Sequence, residues 1–70
     1  MITLAQLSQG RVAHVSGFTG NREASLRLME MGLTRGTQIE VVRRGSPSLF
    51  RVRNTRVSLS AELAGAVQVS

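Results

Sequence analysis

One stretch of the chain, Asn21 to Met31, is written with helical period and carries its own start and stop signals. Asn21 is placed to accept, at its side-chain oxygen, from the free N–H groups of a first turn. Glu23 falls where the helix dipole favours negative charge. Ala24, Leu28 and Met31 recur at i, i+4 and i+7 and form one apolar stripe. Gly32 follows the last periodic residue and can take the left-handed conformation there, which sets Leu33 against Leu28 in a Schellman stop. Around this helix, glycine and proline cut the chain into runs of strand length. The core must therefore come from a sheet, with the helix as an insertion.

Leu4 and Leu7, three apart before Gly10, predict a single helical turn. Arg11 to Phe18 reads as a strand with Ala13 and Val15 inward, and with Gly17 as a bulge that lets Phe18 re-enter the core. Thr34-Arg35-Gly36 is a tight turn into a β-branched strand from Thr37 to Arg44, with Ile39 and Val41 on one face and Glu40 and Val42 on the other. Gly45-Ser46-Pro47 ends it. Phe50 to Leu59 reads as a hairpin about Asn54-Thr55. That loop pairs Val52 with Val57 and Phe50 with Leu59, and leaves Arg51, Arg53 and Arg56 on the outer side, with Arg43 and Arg44 on the preceding strand. Ser60 is expected to cap a last short turn through Leu63 and Ala64, and Val67 and Val69 alternate as a closing strand. The expected architecture is a single domain over residues 1–70. It is mainly β: a small barrel of about five strands, with one inserted α-helix (residues ~21–31) and short helical turns near each end, closed so that no edge strand is exposed.

Composition narrows the chemistry. The chain has nine Arg and no Lys, four Glu and no Asp, one His and no Cys, for a formal net charge of +5. Without Cys there is no disulfide framework, thiolate metal site or Cys nucleophile. His14, on strand parity, faces outward with nothing to complete a triad, so the chain reads as a non-enzyme. Gly17-Phe18-Thr19-Gly20 lacks the Lys-Ser/Thr of a phosphate-binding loop. Glu23, Glu30, Glu40 and Glu62 lie on separate elements, and Met29 and Met31 come without Cys or His. No metal ligand and no cofactor is assigned. No apolar run approaches the ~18 residues of a membrane span, and the first residues lack a signal pattern, so a cytoplasmic location without membrane insertion is expected.

The order of motifs resembles the FeoA family, the small accessory proteins of bacterial ferrous-iron uptake. The likeness is carried by Arg27-Leu28-Met29-Glu30-Met31-Gly32-Leu33, by Arg35-Gly36-Thr37 leading into a Val-rich strand, and by Gly45-Ser46-Pro47 and Arg51-Val52-Arg53. Leu59, Ala64, Val67 and Val69 follow at the family's spacing, and Leu4, Leu7, Gly10, Ala13 and Val15 match its opening. Ser46, Asn54 and Ser60 depart from it, standing where the family often has Asp, Gly and Arg. The resemblance implies an SH3-like barrel. It also implies a role beside the membrane iron transporter FeoB, whose cytoplasmic part is a GTP-binding domain.

Two surfaces are candidates for such a partner. At 100° per residue, Leu26 and Met29 point away from the stripe of Ala24, Leu28 and Met31 and form an apolar pair on the outer side of the helix. Arg51, Arg53 and Arg56 form a basic hairpin face suited to carboxylates or phosphates. Nucleic-acid binding is the alternative reading of that charge. It is the weaker one, because the only aromatics, Phe18 and Phe50, are wanted by the core and leave no stacking platform. A third reading is the SH3-like module of iron-dependent repressors. Self-association is left open.

Overall fold

The structure, a computed structural model, describes residues 2–70. The chain runs β1 (Ile2–Thr3), a 3₁₀ turn (Leu4–Gln6), β2 (Val12–Phe18), α1 (Arg22–Glu30), β3 (Gln38–Arg43), β4 (Ser48–Val52), β5 (Thr55–Leu59), α2 (Ala61–Gly65) and β6 (Val67–Val69). The strands form one sheet in the order β1-β6-β2-β3-β4-β5, every neighbouring pair antiparallel. Inward residues of five of the strands meet in a single apolar cluster with Leu4, Leu7, Leu28, Leu33, Ala64 and Ala66. The elements follow the expected order with one addition. β1 is too short for its periodicity to be read, and it forms because β6 offers it a free edge.

Backbone pairing does not close the barrel. The ladder ends at β1 and β5, and α2 bridges the gap by packing on β5 and on the 3₁₀ turn, where Leu4 and Ala64 are buried. Two short helical turns thus do what a closing ladder was expected to do. Gln6 Oε1 accepts from the Thr3 N–H at 2.8 Å, and Ser60 caps α2 by accepting from the Leu63 N–H at 3.2 Å.

Strand β2 bulges between Val15 and Gly17 against β6, as expected at that glycine. A Cβ on Gly17 would lie 3.0 Å from Gln68 Oε1 and 4.0 Å from Arg35 Nη2. The missing side chain lets those two arms lie across the bulge. On its other side β2 meets the turn that follows the helix: the Val15 N–H donates to the Thr37 carbonyl at 2.9 Å, and the Gly36 N–H donates to the Val15 carbonyl at 2.8 Å.

The helix is built as its sequence dictates. Asn21 Oδ1 accepts from the Ala24 N–H at 2.8 Å. At the far end the Leu33 N–H donates to the Leu28 carbonyl and the Gly32 N–H to the Met29 carbonyl, both at 3.0 Å, with Gly32 at φ +94°. That is the Schellman pattern, with Leu28 and Leu33 fully buried. The expected stripe is shorter than its period implies. Ala24 is half-buried, and Met31 is exposed. Met31 is the C-cap, beyond the last helical residue, so the 100° step no longer sets its direction, and Leu33 takes the inward place.

The β4–β5 hairpin corrects a second expectation. Arg51 lies opposite Arg56 and Val52 opposite Thr55, so the loop is Arg53-Asn54 rather than Asn54-Thr55, and Phe50 faces Val57 rather than Leu59. The earlier turn lets Ser48 and Leu49 join the ladder before the chain leaves at Ser60. Partners shift by two residues, and because side chains alternate with period two the burial of Phe50, Val52, Val57 and Leu59 is unchanged. The cost falls on Arg53, whose φ of +59° is the single positive value at a non-glycine among the described residues. An L side chain there is strained by roughly 1–2 kcal/mol.

Two sets of substitutions test this backbone account by denaturant titration. Gly65→Ala, on regular helical backbone with open space around the new Cβ, raises stability by about 0.5 kcal/mol, whereas Gly32→Ala lowers it by about 1 kcal/mol. Arg53→Gly raises stability by about 0.5–1 kcal/mol, because relief of the strained φ exceeds the added freedom of the unfolded chain.

Candidate functional site

Helix α1 touches the rest of the protein through a narrow strip. Leu28 is its single buried residue, and the opposite side carries Leu26 at 46% and Met29 at 40% exposure, with Met31 at 39% just past the helix end. Leu4 and Leu7, the other leucines outside the strands near the N-terminus, are themselves in the core. Three large apolar side chains therefore stand in solvent within six residues of chain.

The basic side chains distribute less simply than the sequence implies. Cross-strand pairing lines up Val12, Glu40, Arg51 and Arg56 in one row across four strands of the outer face. Glu40 Oε1 accepts from Arg51 Nη1 at 3.0 Å, with both side chains partly in solvent. An ion pair so exposed contributes about 0–1 kcal/mol. Its local effect is to offset the repulsion between Arg51 and the Arg56 opposite it. Arg43, beyond a bulge in β3, is exposed and lies opposite Leu49. Arg44 turns away altogether: it donates to the Ala5 carbonyl at 3.2 Å and borders a separate depression of about 490 Å³ over Leu4, Val41 and Phe50.

Arg51 and Arg53 come together at a cleft of about 580 Å³ that runs between the Thr34–Thr37 turn and the β4–β5 turn, and Arg56 lies outside it. The turn is closed by the Thr37 N–H donating to the Thr34 carbonyl at 3.1 Å, and the two threonine hydroxyls are 3.0 Å apart. Its second residue, Arg35, is the third arginine to line the cleft, and Gln38 and Glu40 line it from β3. Arg35 has no periodic signature, so strand parity passes over it. The usable signal is its position one residue before Gly36 in a turn that hydrogen-bonds back to β2.

Other chemistry finds little to work with. His14 is exposed on the outer face, opposite Gln38. Among the described residues no three of His, Cys, Asp or Glu lie together as a metal-holding group, and no helix is long and apolar enough to cross a membrane. Phe50 is buried and Phe18 packs against the core, so neither presents a free ring face.

Comparison with known proteins bears on the whole of this arrangement. A family model described as the FeoA domain matches residues 2–70. The crystal structure of an iron uptake regulatory protein, FeoA, is 30% identical and superposes with a TM-score of 0.91 over 99% of this chain and 93% of that one. The zinc-complexed FeoA of Stenotrophomonas maltophilia, described as a procaryotic SH3 domain protein, is 28% identical, with a TM-score of 0.88 over 100% of this chain and 91% of that one. A manganese-dependent transcriptional repressor aligns with 97% of this chain but 40% of its own, at 15% identity and a TM-score of 0.89, a likeness of fold alone. Comparison with curated protein sequences gives no match. The barrel is thus SH3-like, and the chain belongs to the FeoA family.

Proposed function

We propose that this protein is a non-enzymatic accessory module of ferrous iron uptake that docks on the cytoplasmic GTP-binding part of a FeoB-type transporter and modulates its transport or assembly. Family membership over residues 2–70 supports the link to ferrous iron transport. The observation that carries docking is the exposed apolar group Leu26, Met29 and Met31 on a helix held by one buried leucine. Methionine is a flexible, polarizable contact residue, and a few apolar anchors supply most of the binding energy of a typical interface. Arg51, Arg53 and Arg56 act as charge complements, steering an acidic partner face and setting its orientation more than its affinity.

The alternatives have less support. A nucleic-acid-binding barrel of this type stacks bases on exposed aromatics, and both phenylalanines here are taken by the core. The repressor module shares the fold at an identity too low to carry a role with it. Catalysis lacks a constellation: the one histidine stands on an open strand face, and cysteine and aspartate do not occur in the chain.

The test is pull-down and calorimetry with the transporter's cytoplasmic domain. Met29→Glu and Leu26→Glu, on the solvent side of α1, leave the circular dichroism spectrum unchanged and weaken binding by about 10-fold or more. Arg56→Glu slows association with a smaller effect on dissociation, a difference that shrinks as salt is raised. Wild-type affinity in both helix variants would overturn the docking surface.

A further inference from the structure

The cleft of Arg35, Arg51 and Arg53 has features that a solvated basic face does not require. Its lining brings three arginines together with one glutamate, and among the described residues the Arg51–Glu40 pair is the sole salt bridge. Arg35 and Arg53 therefore line the cleft without an acidic partner among the described residues. Arg53 is carried by the β4–β5 turn, and Arg35 by the Thr34–Thr37 turn, with its Nη2 reaching back to about 4.0 Å from the Cβ position of Gly17 on the β2 bulge.

We propose that this cleft is a receptor for an acidic peptide segment of a partner protein, with Arg35 and Arg53 binding its side-chain carboxylates and Glu40 holding Arg51 within the same lining. The proposal rests on the docking reading and deepens the part given there to Arg51 and Arg53, on a surface separate from α1. Glu40 shows that an arginine of this cleft accepts a carboxylate in place, at 3.0 Å. The walls are a β-turn and a hairpin turn, without the helix N-terminus that commonly cradles phosphate. At about 580 Å³ the cleft matches the size of a small-ligand site, room for a short stretch of side chains rather than for a folded surface.

The experiment is an NMR titration of the isotope-labelled protein with a capped tri-glutamate peptide. The expected result is saturable shifts at Arg35, Thr37, Gln38 and Arg53 that weaken as salt is raised. Arg53→Gly, which removes the guanidinium while easing the turn, weakens binding by about 5-fold or more, and Arg35→Gln does the same. Glu40→Gln, which frees Arg51, tightens it. Met29→Glu leaves it unchanged. Unaltered peptide binding in Arg53→Gly overturns the proposal, as do inorganic phosphate or a short oligonucleotide binding there more tightly than the peptide. Loss of the transporter domain in Met29→Glu with peptide binding intact separates the two surfaces. Absence of peptide binding beside intact transporter binding removes the cleft and leaves the docking reading standing.

Discussion

The molecule is held together at β2. The strand pairs with β6 on one edge and with β3 on the other, so the backbone ladder joins the β1–β6 side of the sheet to the β3–β4–β5 meander through it. Val15 concentrates that role. Its side chain is in the core, it lies opposite Val69, and its backbone N–H and C=O exchange hydrogen bonds with Thr37 and Gly36. A small domain buries too little surface to tolerate a loose junction at this point. The bulge at Gly17 bends the strand to serve both neighbours, and it clears the place where Gln68 and Arg35 lie.

Both functional surfaces are consequences of that junction. The Thr34–Thr37 turn is pinned to Val15, which fixes one wall of the arginine cleft. The other wall is the turn at Arg53-Asn54, set by the register of β4 on β5. Helix α1 is strung between the end of β2 and this same turn, capped at both ends but buried at Leu28 alone. A helix held this way is oriented by its ends rather than clamped along its length. Its outer side is left to solvent or to a partner.

How much of this is legible in the residues depends on how local the deciding interaction is. The caps at Asn21 and Gly32, the Ser60 cap, the Gly17 bulge, the exposure of Leu26 and Met29 and the inward faces of β2 and β3 all follow from neighbours a few positions apart. The hairpin register does not. Loops at Asn54-Thr55 and at Arg53-Asn54 bury the same side chains, and what separates them is whether Ser48 and Leu49 find partners before the chain departs at Ser60. Met31 is misplaced because a helical period was carried one residue past the helix. Strand β1 and the unclosed ladder have no local signature at all, since each depends on which edge is left free once the rest has folded.

The residues by themselves determine the kind of molecule: a one-helix, mainly β domain with an arginine-rich face, an outer apolar pair on the helix and no thiol chemistry. These are matters of period, capping and composition, each read within a few residues. Only the tertiary structure decides which arginines act together. Arg44 is drawn off to the Ala5 carbonyl, Arg51 is engaged by Glu40, Arg56 stands outside the cleft, and Arg35 arrives from a turn sixteen residues before Arg51 in the chain. The reason is geometric. A guanidinium's charge is set by its own chemistry, but its neighbours are set by strand register and by the turn that carries it.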